Sequence, residues 1–215
     1  YMKVISFSLW GKKPMYTIGA LRNAEIAKEI FPDWQCWFYV GSSCPDEIVH
    51  KLQEKDNVRV HLMNEEGSWN GMFWRFSPAS DPDVDVVLSR DTDSRLSLRE
   101  KKAVDQWLES DKDFHIMRDH PFHRTEILGG MWGVRGELLS EMSPMIQAYQ
   151  KGDFWQVDQN FLRELIYPIV KHKAFVHDEF FQINPFPTHR EGKEFVGQAF
   201  DENDKPLHPE HGDLI

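Results

Sequence analysis

The sequence predicts a single α/β domain over 1-215, with a mixed, mainly parallel, Rossmann-like sheet flanked by helices. Three observations carry this. The first 62 residues alternate β-α-β-α-β, and that order builds parallel strands with crossover helices. A short apolar strand ending in Val86-Val87-Leu88-Ser89 runs directly into Arg90-Asp91-Thr92-Asp93-Ser94. The 215 residues are 40% apolar, with 15 Phe and 8 Trp, so a sizeable core needs no disulfide or metal staple.

In order along the chain, Val4 to Leu9 is an apolar run closed by Gly11 and reads as a buried strand. Thr17 to Ile30 places Ile18, Leu21, Ala24, Ala27 and Ile30 at helical spacing, and Pro32 ends the pattern. Trp34 to Val40 is a second strand closed by Gly41. Pro45 fits a first helical turn, and Ile48 with Leu52 marks the inner side of a short helix. Val58 to Leu62 is a third strand. Residues 63 to 82 are rich in Gly, Ser, Asn and Pro and read as irregular. Val84 to Ser89 is the fourth strand. Ser97 with Glu100 is a capping box opening a helix with Ala103, Val104, Trp107 and Leu108 inward. Phe114 to Met117 and Met131 to Val134 are further strands. Ser143-Pro144 starts a helix with Met145, Ile146 and Tyr149 inward. Asp158 is placed to cap another, bearing Phe161, Leu162, Leu165 and Ile166 and stopped by Pro168. The tail from Asn184 reads as an extended wrap, solvated from Asp201.

There are 25 Lys and Arg against 35 Asp and Glu, a net charge of −10. That balance argues against nucleic acid as the partner, because phosphate backbones are held by excess Lys and Arg. A small anion is still compatible if a divalent cation bridges it to the protein, or if a few Arg are placed locally. Cys36 and Cys44 lack metal or redox spacing and read as two reduced thiols. No apolar run reaches membrane-spanning length, and no signal peptide precedes Met2, the expected natural start after Tyr1.

The strongest chemical signal is Asp91-Thr92-Asp93 at the carboxyl end of a buried strand, where open α/β sheets take their ligands. Two carboxylates at this spacing can converge on one hard cation while a diphosphate fills other positions. The cation would then neutralise charge on a leaving phosphate. A polar turn with two solvated acids is the alternative at this point.

Several segments resemble the GT-A nucleotide-sugar glycosyltransferases, in particular small bacterial and large-DNA-virus members. They are Ser6-Phe7-Ser8-Leu9-Trp10-Gly11, Phe73-Trp74-Arg75-Phe76, Arg90 to Arg95, Met117 to Pro121, Gly129-Gly130-Met131-Trp132-Gly133, Asp158-Gln159, His177-Asp178 and Phe195 to Gln198. The resemblance implies a nucleotide-binding half over 1-90 and a metal, sugar and acceptor half over 91-215. It implies that Leu9, Trp10 and Gly11 border the base and ribose, with Trp10 as a stacking face. Arg75 suits a diphosphate or nucleotide contact. Asp91 and Asp93 become the ligands of Mn2+ or Mg2+, with Thr92 near the ribose. His177 is the expected third ligand, with His189 and His211 as rivals.

Asp158 becomes the general base of an inverting transfer. Gly129 and Gly130 leave room beside the donor sugar, and Trp132 offers a face to it. The implied partners are a nucleotide-sugar donor, a UDP-sugar by family habit, and a glycan or glycoprotein acceptor. The implied setting is cytoplasmic, the host cytoplasm if the chain is viral. Two other classes fit parts of the pattern: a metal-dependent phosphohydrolase, and a non-catalytic carbohydrate-binding protein. A zinc site from His115, His120 and His123 lacks the usual ligand spacing.

Overall fold

The computed structural model describes residues 1–215. Its first part follows the expected alternation: β1 (Lys3–Leu9), α1 (Pro14–Ile30), β2 (Gln35–Val40), α2 (Asp46–Gln53) and β3 (Val58–Leu62). A 3₁₀ segment (Trp69–Ser80) leads to β4 (Val86–Ser89), α3 (Leu98–Glu109), β5 (Phe114–Arg118) and β6 (Trp132–Arg135). Next come α4 (Met142–Ala148), α5 (Val157–Phe161), a π-helical turn (Leu162–Ile166), α6 (Tyr167–Val170) and β7 (Ala174–Asp178). A 3₁₀ turn (Pro209–Leu214) ends the chain.

The strands form one sheet in the order β3-β2-β1-β4-β6-β5-β7. β1 to β4 are mutually parallel, β6 runs antiparallel to β4 and β5, and β7 runs parallel to β5. From β1 the chain builds outward through β2 and β3, then returns to lay β4 on the other side of β1. That reversal opens a crevice beyond the carboxyl ends of β1 and β4, the place where such sheets bind ligands.

Side chains alternate across β1. Ile5, Phe7 and Leu9 join Ala20, Ala24, Leu52, Val104 and Trp107 beneath α1, α2 and α3. Val4 joins Phe76, Val87, Phe114, Trp132 and Phe161 on the opposite face. Phe7 stacks on Phe38 with ring centroids 4.7 Å apart, fixing the β1–β2 register. The capping box at α3 is present in both directions between Ser97 and Glu100. Cys36 and Cys44 are free and buried.

The structure corrects several sequence expectations. Pro168 does not stop its helix. Proline cannot donate a backbone hydrogen bond, and just before it the chain widens into the π turn, where Tyr167 N–H reaches the carbonyl of Leu162. The helix then resumes as α6. β7 was not expected; it is an edge strand whose first three residues are only half-buried. Residues 69–80 are 3₁₀-helical rather than irregular. Ile18 and Leu165, expected inward, are each 36% exposed, because α1 packs through its small residues and the π turn rotates Leu165 outward. Pro45 precedes α2 as its cap rather than entering it.

Candidate active site

β1 ends in Leu9, Trp10 and Gly11. The Trp10 ring is held by the segment that follows β3. A Cβ on Gly67 would lie 2.3 Å from Trp10 Cγ, and Gly67 has φ +101°, so only glycine fits there. Trp10 also meets Trp74 edge-on, with centroids 5.9 Å apart.

β4 delivers Asp91, Thr92 and Asp93. α1 holds this loop from behind. Asn23 Nδ2 donates to the carbonyls of Thr92 (3.3 Å) and Ser94 (2.8 Å), and Asn23 Oδ1 accepts from Leu96 N–H at 2.9 Å. The tail closes the other side, where Phe200 N–H donates to the Asp93 carbonyl at 2.8 Å. Across the crevice Gly130 approaches so closely that a Cβ would fall 2.2 Å from Asp91 Oδ2.

Arg75, from the 3₁₀ segment, is buried between two of the carboxylates that face the crevice. Its Nη1 donates to Asp91 Oδ1, its Nη2 donates to Asp158 Oδ2 at 2.8 Å, and its backbone N–H donates to Ser8 Oγ at 3.2 Å. Asp158, expected as the cap of this helix, lies instead in the first turn of α5, two residues beyond the cap. Gln156 occupies the cap position in the left-handed region, with φ 68°.

These parts line a cavity of about 690 Å³. The structure brings Leu9, Trp10, Gly11, Arg75, Asp91, Thr92, Asp93, Gly130 and Asp158 together on its wall. Sequence reasoning passed over Lys12, Lys13 and Tyr16 on the same wall, and Trp69, Asp153 and Trp155 as well, whereas Gln159 belongs to the Asp158-Gln159 motif already singled out. Lys12 and Lys13 directly follow Gly11, and their charge next to the predicted loop was the available signal. No local signal marks Asp153 or Trp155.

The electrostatics set an unbalanced acidic pair against a cationic rim. Burial, then the Asp91 charge, pushes the Asp93 carboxyl up to about 7. Burial, then Asp93 and Asp91, raises the Tyr16 phenol. Burial also raises Asp158, against the pull of Arg75. A divalent cation relieves such a carboxylate pair. Asp91 keeps an oxygen beyond its Arg75 bond, and Asp93 accepts from no side chain, so the two fit Mg2+ or Mn2+. Mg2+ in particular is bound through one or two carboxylates plus phosphates and water.

Two predicted residues stand elsewhere, and both assignments are corrected. Trp132 is fully buried in the core, stacked on Phe114 (5.5 Å) and edge-on to Phe76 (5.2 Å), so its face is not available to a sugar. Its neighbour Gly133 packs on the opposite face of the sheet, against Leu88 and Trp107. His177 is fully buried in β7. Its Nδ1 meets His115 Nε2 and its Nε2 meets Gln106 Oε1, both at 2.7 Å, so neither ring nitrogen is free for a metal. The rivals His189 and His211 also lie off the cavity wall. The zinc set does not assemble. His115 is bonded to His177, His123 Nδ1 accepts from Asp119 N–H, and His120 Nε2 donates to the His211 carbonyl. The polar group around Asp119 is structural: Asp119 is fully buried and takes Arg99 at 3.0 Å on both oxygens and Arg190 at 2.7 Å.

No family model and no curated protein matches the chain. Solved structures do match. A glycosyltransferase involved in the glycosylation of the major capsid of PBCV-1 superposes with a TM-score of 0.56 at 15% identity, over 84% of this chain and 82% of that one. S. aureus TarS 1-349 in complex with UDP-GlcNAc superposes at 0.57 and 15% identity, over 89% of this chain and 60% of that one. The fold is GT-A. The GT-A framework also extends to 4-diphosphocytidyl-2C-methyl-D-erythritol synthase from Anaerococcus prevotii, at 0.53 and 14% identity, over 86% and 91% of the two chains. In this GT-A chain the cavity occupies the crevice at the sheet's switch point, and no helix is long and apolar enough to cross a membrane.

Proposed function

We propose that the protein is a metal-dependent glycosyltransferase that moves a sugar from a nucleotide diphosphate to a hydroxyl of a glycan. The observation that carries this reading is the convergence of Asp91, Asp93 and Asp158 on one cavity, with Arg75 joining Asp91 to Asp158. Asp91 and Asp93 would hold Mn2+ or Mg2+, which would supply positive charge to offset the charge that builds on the leaving diphosphate. Lys12 and Lys13, on the same cavity wall, would meet the outer phosphate oxygens. Leu9, Trp10 and Gly11 border the nucleoside, and Gly130 keeps the space beside Asp91 open for the sugar.

Asp158 accepts the proton of the attacking hydroxyl, giving direct displacement with inversion. Arg75 orients that carboxylate and ties its position to Asp91. A uridine donor is favoured by the resemblance and by the UDP-GlcNAc bound to TarS.

Nucleotidyl transfer is the second reading, because the cytidyl synthase covers the chain as fully as the glycosyltransferases do. The products separate the two. Purified protein with Mn2+ is incubated with a panel of nucleotide sugars, and separately with nucleoside triphosphates plus sugar phosphates. Release of nucleoside diphosphate and free sugar from one donor supports glycosyl transfer. Release of pyrophosphate supports nucleotidyl transfer, and inorganic phosphate alone indicates a phosphohydrolase.

A further inference from the structure

Two solvent-facing tryptophans line the cavity beside the acidic site. Trp69 opens the 3₁₀ segment and is 45% exposed, and Trp155 stands just before α5 and is 67% exposed. Both line the cavity. Large indoles facing solvent at the rim of a polar cleft are informative, since apolar surface of this size is normally covered.

Their placement is built. Asn70 N–H donates to Asp153 Oδ1 at 2.8 Å, pinning the 150s loop to the start of the 3₁₀ segment. The loop then reaches α5 through Gln156 in the left-handed region, an unfavourable conformation for a residue with a Cβ and one that clusters at functional sites. The turn sets Trp155 three residues before Asp158, with Gln156 and Gln159 on the same wall.

Two ligands could meet these rings: the donor's nucleobase or the acceptor. The nucleoside side of the cavity is the end of β1, where Trp10 is clamped by Gly67. Trp155 belongs instead to the segment that carries Asp158, the group that must face the attacking hydroxyl. We infer that Trp155 forms the acceptor subsite and stacks on a pyranose ring whose hydroxyl is presented to Asp158. A pyranose suits it: its axial C–H groups pack on an indole face, while Asp153 and Gln156 offer hydrogen bonds to its hydroxyls. This inference rests on the glycosyltransferase reading.

The test measures UDP affinity in Mn2+, and UDP release from the active donor with and without a panel of methyl glycosides and short oligosaccharides. In the parent protein at least one saccharide accelerates UDP release. Trp155→Ala raises the saccharide concentration needed by about tenfold, equivalent to about 1.4 kcal/mol, while UDP affinity holds. Trp155→Phe restores much of the response, and Phe181→Ala, an exposed aromatic off the cavity wall, changes nothing. If Trp155→Ala weakens UDP instead, the ring serves the donor and the inference is overturned. It is also overturned if UDP binds but no saccharide of the panel alters its release, and the donor reading then survives. Loss of UDP binding in the parent would remove both.

Discussion

Arg75 Nη2 donates to Asp158 Oδ2 at 2.8 Å inside the protein, and the other arm of the same guanidinium holds Asp91. One buried cation thus sets the distance between the group assigned to the metal and the group assigned to the acceptor. Arg75→Met would leave Asp158 buried without its partner. We expect a loss of about 3–5 kcal/mol in urea unfolding, the usual result of removing one member of a buried ion pair. Arg75→Lys should recover little of it, because a single ammonium cannot span both carboxylates.

Asp158→Asn keeps the shape of the acceptor wall and removes the proton acceptor. Transfer to saccharide should fall at least about 100-fold, with UDP affinity in Mn2+ retained. Turnover at the parent rate would show that another group takes the proton.

Gly130→Ala tests the packing behind the metal pair. Its Cβ would stand 2.2 Å from Asp91 Oδ2, so the carboxylate must move. We expect a fall of about 100-fold in donor turnover, with a cooperative unfolding transition retained. Parent-like kinetics would show that Asp91 tolerates displacement.

The His115–His177 pair predicts an acid limb unrelated to the cavity. Burial holds the His177 imidazole down to about 4, and His115 lies well below its ordinary value through burial and the neighbouring His177. Between pH 6.5 and about 4 the unfolded chain therefore binds protons that the folded chain refuses. Stability falls as pH falls through that window and is unaffected by this pair above it. In denaturant unfolding at a series of pH values, His177→Asn should show a shallower acid limb, whatever its stability at neutral pH.

Much of the framework is legible in the residues. The apolar runs of β1, β2 and β4 are short, bounded by glycine or polar residues, and fully buried, so periodicity and position agree. Asp91 and Asp93 are legible because they end such a strand. What misleads is a side chain whose type does not state its direction. Trp132 begins β6 beside Gly130, where a platform and a core residue look alike, and only the pairing of β6 between β4 and β5 turns it inward. His177 reads as a ligand until β7 is known to lie along β5, which spends both ring nitrogens on His115 and Gln106. Trp155 and Asp153 were passed over because what places them is a contact across 83 positions to Asn70, which no local pattern records.

The most direct measurement is calorimetric titration of UDP into the protein with Mn2+ and again with EDTA, repeated on Asp93→Asn. Binding in Mn2+, weakened at least about tenfold by EDTA and to a similar degree by the substitution, is the predicted result. Equal affinity with and without the metal, or an Asp93→Asn protein that binds UDP as the parent does, would contradict the metal bridge between this acidic site and its anionic ligand.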